Sequence, residues 1–141
     1  MSNSPQYEVD SKLEPVTLAA SSSDFSSQQL AETIAEAADD KKAEEIVLLK
    51  VAGISFLADY FVLATGFSTT QVKAICDSIE KEVETKYQLL PLRVQGKSEG
   101  RWIAIDYGDA IVHIFMPEER EFYNLEAFWG HAESTRFVAN H

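Results

Sequence analysis

The sequence predicts an α/β domain, a single mixed β-sheet of about five strands flanked by helices. Three observations predict it. EIVLLKV (45–51) and YFVLATG (60–66) are short runs apolar on both faces, as strands of a covered sheet or its interior are. A long amphipathic stripe follows the second run. Two further apolar runs, 101–106 and 109–116, are joined by a tight Asp-Tyr-Gly-Asp link that reads as a hairpin.

The elements follow in chain order. Residues 1–25 are serine-rich and carry Glu8, Asp10, Glu14 and Asp24 against Lys12. Organelle leaders are rich in arginine and poor in acid, so this stretch reads as a disordered, untargeted tail. The domain is expected over 26–135, with 136–141 as a C-terminal tail. From Ser26, the spacing of Leu30, Ile34, Ala35 and Ala38 predicts a helix of about three turns that ends in the charged run 39–42. The two strands come next, and the short link after Gly53 lets them pair antiparallel. Ser68 caps the long helix, whose stripe is Val72, Ile75, Cys76, Ile79, Val83 and Tyr87. That helix crosses over to LRVQG, a weaker strand beyond Pro91. After the hairpin, Pro117 with Glu118 and Glu119 suits the first turn of a closing helix.

Composition narrows the function. With 141 residues, 45% of them hydrophobic, the chain is long enough for one core. Its net charge of −11 repels phosphate backbones, which disfavours direct nucleic-acid binding, and it speeds encounter with a basic protein. Cys76 is the only cysteine, so no intramolecular disulfide or thiolate cluster can form, and the chain suits a reducing cytoplasm. No apolar run approaches the ~20 residues that span a bilayer, so no membrane role is expected. No cofactor or metal is called for: His131 and His141 lack ligand spacing to His113, and Cys76 sits in a core stripe.

The hairpin carries the most chemistry. If Asp106 to Asp109 is the turn, Ile105 opposes Ala110, Ala104 faces Ile111 and Trp102 faces His113. Alternation then gives one purely apolar face, Ile103, Ile105, Ala110, Val112 and Ile114. The other face combines Trp102, Ala104, Asp106, Asp109, Ile111 and His113. An indole, an imidazole and two carboxylates together suit a surface where something docks. Plainer readings stand beside this one. Trp102 and His113 can be packing residues, and Asp106 and Asp109 around Gly108 are ordinary turn chemistry. In the docking reading, Trp102 and Tyr107 supply apolar contact area, Asp106 and Asp109 pair with basic side chains, and His113 orients the face. Tyr60, Ser68, Tyr123 and Trp129 lie at its edge, while Arg120 and Glu126 form an internal ion pair and Phe122, Leu125, Phe128 and Trp129 seat the closing helix on the sheet.

An enzyme is the alternative. A nucleotide-binding or nucleotidyl-transfer site would hold phosphate on the Gly66 and Ser68 loop at the start of the long helix and use Asp106 and Asp109 for magnesium. Against it, no two carboxylates stand two apart on a strand beside that loop, and no lysine or arginine clusters there. A self-associating scaffold is a third reading.

Three blocks, ADYFVLATGFS, EGRWIAIDYGDAIVHIF and REFYNLEAFW, resemble the signature segments of the Iojap or ribosomal silencing factor S family, in the expected order over about residues 26–130. The residues that carry the resemblance are Asp59, Tyr60, Phe61, Ser68, Gly100, Trp102, Asp106, Tyr107, Gly108, Asp109, His113, Phe115, Arg120, Tyr123, Leu125, Glu126 and Trp129. It implies a fold similar to nucleotidyltransferases without known catalysis. It also implies binding to protein fourteen of the large ribosomal subunit, a basic protein at the subunit interface, with steric hindrance of small-subunit joining and repression of translation. A part in large-subunit biogenesis and a homodimer when free of the ribosome are further implications.

Overall fold

The computed structural model describes residues 25–139. All but one residue of the expected N-terminal tail, and the last two residues of the chain, lie outside the described residues. Ten elements follow in order: α1 (Ser27–Asp40), β1 (Glu44–Lys50), β2 (Tyr60–Thr65), α2 (Thr69–Tyr87), β3 (Arg93–Gln95), β4 (Trp102–Asp106), β5 (Ala110–Phe115), α3 (Pro117–Tyr123), α4 (Leu125–Phe128) and β6 (Glu133–Arg136). One six-stranded sheet has the order β3-β4-β5-β2-β1-β6. Only β2 and β5 pair in parallel; the other four pairings are antiparallel.

Local chemistry sets the helix ends. Ser26 Oγ accepts from Gln29 N at 3.0 Å and Ser26 N donates to Gln29 Oε1 at 2.8 Å, so two otherwise unpaired amides are met at the start of α1. Ser68 caps α2 in the same way, its Oγ accepting from Gln71 N at 3.0 Å. Both helices lie on one face of the sheet. Leu30, Ile34 and the alanines of α1 pack with Val72, Ile75, Cys76, Ile79 and Val83 of α2 against Val62, Ile103, Ile105, Val112 and Ile114. The alanines leave room for close helix approach, and burying each large aliphatic side chain contributes roughly 1.5–3 kcal/mol.

A second, smaller core lies on the opposite face, where Val47, Leu49, Phe61, Leu63 and Phe115 are covered by Leu125 and Trp129. The two-sided apolar character of β1 and β2 follows from this: both are interior strands with cover above and below.

The structure departs from expectation in three places. The hairpin is shifted by two residues: Tyr107 N donates to Ala110 O at 2.9 Å, so Gly108 and Asp109 form the turn and Trp102 faces Phe115 instead of His113. Gly108 makes the tighter turn possible with φ of +89°, and Asp106 Oδ1 accepts from Gly108 N at 2.8 Å. A two-residue shift preserves which face each side chain takes, so the apolar face is as expected. The second departure is β6, a sixth strand with four exposed residues on the free edge of β1; it runs to Arg136, and Phe137 N bonds Ile46 O at 2.8 Å. Third, Phe122 and Phe128 point outward at 80% and 75% exposure, so Leu125 and Trp129 alone of the four expected residues seat the closing helices.

Candidate functional site

The face opposite α1 and α2 is only partly covered, and aromatic side chains cross it. Trp102 and His113 lie diagonally on β4 and β5, and Trp102 Nε1 donates to His113 Nδ1 at 3.0 Å. Burial pushes the His113 pKa down to about 4, so the ring is neutral at pH 7 and its Nδ1 is free to accept that bond. Ring contacts extend from this pair in both directions. Trp102 meets Tyr123 at 4.6 Å between centroids and Tyr123 meets Phe122 at 4.9 Å; on the other side His113 meets Phe61 edge-on at 5.8 Å, Phe61 meets Trp129 at 5.2 Å and Trp129 meets Phe128 at 5.3 Å. The result is a connected aromatic band, buried at its centre and exposed at both ends.

Arg120 fixes the helices that carry the ends of this band. It is 8% exposed, and Nη1 donates to Glu45 O at 2.6 Å and to Thr65 Oγ1 at 2.9 Å, which ties α3 to β1 and β2. Nε and Nη2 take the two Glu126 oxygens, each at 3.1 Å, which ties α3 to α4. This is the internal ion pair expected from the sequence. Asn124 turns the chain between the two helices with φ of +46° and caps α4.

Of the nine residues that the docking reading of the sequence names, the structure gathers Trp102, His113 and Tyr123 into one cluster and joins Trp129 to it through Phe61. Asp106 shares their face but is engaged: Oδ1 holds the turn amide, and Oδ2 lies 3.9 Å from Arg93. Asp109 is exposed in the turn itself. Tyr107 does not supply contact area; it lies on the helix side, 5% exposed, with a hydroxyl that has no hydrogen-bond partner and a pKa raised by burial. It falls there because a residue one past Asp106 takes the opposite face of the strand. Tyr60 likewise packs on the helix side, and Ser68 is occupied as the cap of α2.

The nucleotide constellation is not assembled. Tyr60 pairs with Ala110 and Thr65 with Phe115, so Gly66 and Ser68 lie at the end of the parallel pair where the Asp106–Asp109 turn is not. At ~3.3 Å per residue, the length of β2 alone separates loop from carboxylates by roughly 17 Å. Gly66 has a packing explanation: a Cβ there would lie 2.9 Å from Val72 Cγ2, so glycine lets α2 sit close against β2. Among the described residues, one group of three candidate ligands stands close together, Cys76, Asp77 and Glu80. Its charge is met by Lys97 Nζ, 3.0 Å from Asp77 and 3.2 Å from Glu80, and burial first, then the Glu80 hydrogen bond, pushes the Cys76 thiol up to about 12. No described helix is long and apolar enough to cross a membrane.

Sequence reasoning missed Phe61 as the link between the two halves of the band, because it reads as one more apolar residue in a buried strand. It also missed the loop that leaves β1, where Ile54, Phe56 and Leu57 are all exposed. The run ISFL stands beside Gly53 and has no partner at helical or strand spacing, and that was the available signal.

Comparison with known proteins assigns the family. A family model described as ribosomal silencing factor during starvation matches residues 24–140. A ribosomal silencing factor from Halalkalibacterium halodurans is 43% identical over 108 residues, which cover 77% of this chain and 92% of the relative. The chloroplastic Iojap protein of Arabidopsis thaliana is 34% identical over 130 residues, 92% of this chain and 48% of that one. A crystal structure of a protein from Chromobacterium violaceum is similar with a TM-score of 0.73 at 29% identity, covering 82% of this chain and 95% of the other. With the family model matching residues 24–140 and a relative 43% identical over 77% of the chain, this protein belongs to the ribosomal silencing factor family.

Proposed function

We propose that the protein binds the large ribosomal subunit through its protein fourteen, in the cytoplasm, and by occupying that surface blocks joining of the small subunit and so represses translation. A part in large-subunit maturation belongs to the same reading. The observation that carries it is the aromatic band: exposed rings on a rigid sheet, anchored by Trp102 and His113, on the face that α1 and α2 leave open. Aromatic side chains of this kind dominate protein interfaces because they bury large area with few rotatable bonds. The mechanism is occupancy, with no chemical step. Trp102 and Tyr123 supply the contact area, His113 holds Trp102 in place, and Asp109 is the hairpin carboxylate left exposed for a basic partner.

The test is co-sedimentation with isolated large and small subunits, followed by subunit joining on a sucrose gradient. Binding to the large subunit alone with fewer joined ribosomes is the expected result. Tyr123→Ala, on an exposed side chain, and Trp102→Ala are each expected to weaken binding by ~2 kcal/mol, about thirtyfold. Intact binding by a folded variant lacking both Trp102 and Asp109 would remove this face from the assignment.

Self-association off the ribosome is a second reading, favoured by the exposed Ile54, Phe56 and Leu57 loop. A sedimentation coefficient that stays at the monomer value at every concentration would exclude it.

A further inference from the structure

Along the outer side of α3 runs an open groove of about 450 Å³, walled by Phe122 and Tyr123 and rimmed by Glu118, Glu119 and Glu121. We propose that this groove receives an arginine-bearing segment of a basic protein partner, the guanidinium stacking on the aromatic wall while the rim carboxylates take its N–H groups. The proposal rests on the docking reading above and deepens it by naming what α3 recognises.

Four observations select this occupant. First, the rim holds three carboxylates and one cation of the chain's own, Arg101, which reaches Glu118 at 2.8 Å and Glu119 at 2.5 Å. Two negative charges remain over. The Glu118 side chain is 86% exposed, so its pairing with Arg101 is weak and exchangeable. Second, Arg101 itself demonstrates that a guanidinium fits these carboxylates, taking Glu119 through Nε and Nη2 together. Third, the wall is continuous with the aromatic band, since the Tyr123 ring packs against Trp102 at 45°, 4.6 Å between centroids. A partner lying on the band therefore reaches the groove without leaving the surface. Fourth, the hairpin offers less than its composition suggests, because the Asp106 side chain is 28% exposed and one of its oxygens holds the turn amide, which leaves Asp109 as the hairpin's one exposed carboxylate. The carboxylates free for a partner are concentrated at the α3 end.

Arginine suits this groove better than lysine because its planar group can stack on a ring and donate in its own plane at the same time. The net charge of −11 adds long-range attraction for a basic segment, while an acidic peptide or a nucleic-acid backbone is repelled.

The experiment titrates the full chain with a short peptide alternating arginine and glycine, and with its glutamate counterpart, at about 20 mM and about 300 mM salt, following tryptophan emission. Saturable binding of the arginine peptide, weakened by salt and weakened about tenfold in Glu121→Gln and in Phe122→Ala, is expected, with Glu82→Gln, an exposed carboxylate on α2 at the other face of the sheet, unchanged. Both α3 side chains are exposed, so thermal unfolding of these variants should match the parent. The same variants then enter large-subunit co-sedimentation. Large-subunit binding that is equal for parent and α3 variants at both salts would overturn the groove and leave the docking reading standing. Arginine-peptide binding that depends on Glu121 and Phe122, with no binding to large subunits, would sustain the groove and overturn the ribosomal reading. Indifference to arginine against glutamate would overturn the groove outright.

Discussion

Arg120→Ala should be the most damaging single change outside the apolar core. The guanidinium makes four hydrogen bonds, and they differ in what their loss costs. Glu126 is 40% exposed, so its carboxylate rehydrates and the pair contributes no more than about 1 kcal/mol. The Glu45 carbonyl and the Thr65 hydroxyl are different: both lose a charged donor, and Thr65 is buried. Each costs roughly 1–2 kcal/mol. Losing the buried aliphatic stem adds about 1 kcal/mol. The total is ~3–6 kcal/mol, which overlaps the range for removing one partner of a buried ion pair. At ~3 °C per kcal/mol for a chain of this size, the melting temperature should fall by about 10–18 °C. Arg120→Lys should recover less than half, because an ammonium cannot hold both Glu126 oxygens and reach β1 and β2 as well. The assay is urea unfolding of both variants, with the midpoint and slope measured together. A loss under about 1 kcal/mol for the alanine variant, or full recovery by lysine, would refute the assignment of Arg120 as the tie between α3, α4 and the sheet.

Other expectations follow from single side chains. His113 has its pKa lowered to about 4 when folded, while the unfolded ring titrates near 6.5, so the unfolded chain binds the proton first as pH falls. Stability therefore rises with pH across that window, and up to ~3 kcal/mol should be lost on acidification from pH 7 to pH 4; the contribution should vanish in His113→Gln, measured by urea unfolding at several pH values. Gly66→Ala forces a methyl within 2.9 Å of Val72 Cγ2 and 3.3 Å of the Val72 amide, and should cost about 1–3 kcal/mol in thermal unfolding. Tyr107→Phe removes a buried hydroxyl that has no partner; stability should be unchanged or raised by up to ~1 kcal/mol, and a loss larger than that would mean the hydroxyl is hydrogen-bonded in solution.

The fold was legible where one interaction dominates. α1 and α2 are long enough for their stripes to be unambiguous, and the serine caps fix where they start. β1 and β2 are recognisable because interior strands must be apolar on both faces. β6 was not legible: ESTR adds an edge to the sheet through backbone hydrogen bonds alone, so its side chains carry no pattern. The hairpin register was missed for a related reason. Asp-Tyr-Gly-Asp admits a four-residue or a two-residue turn, and the choice rests on the backbone at Gly108 and the Asp106 side chain, which composition does not rank.

For the candidate site, alternation settled more than residue type did. Period two placed Trp102, Asp106 and His113 on the open face whichever turn is used, because the two registers differ by an even number of residues. The same rule places Tyr107 inside, and reading it as a contact residue gave its aromatic character more weight than its parity. What parity cannot reach is the closing segment. Pro117 to Trp129 contains eight aromatic and acidic residues that could face either way, and Arg120 decides which. By bonding β1 and β2 through one nitrogen and Glu126 through the other two, it turns Tyr123 toward Trp102 and leaves Phe122 and Glu121 outward. A buried charge here sets orientation more than it adds stability. Loosening it should therefore impair docking even at temperatures where the sheet is intact, which separates the two effects: Arg120→Lys should lose affinity for its partner before it loses its fold.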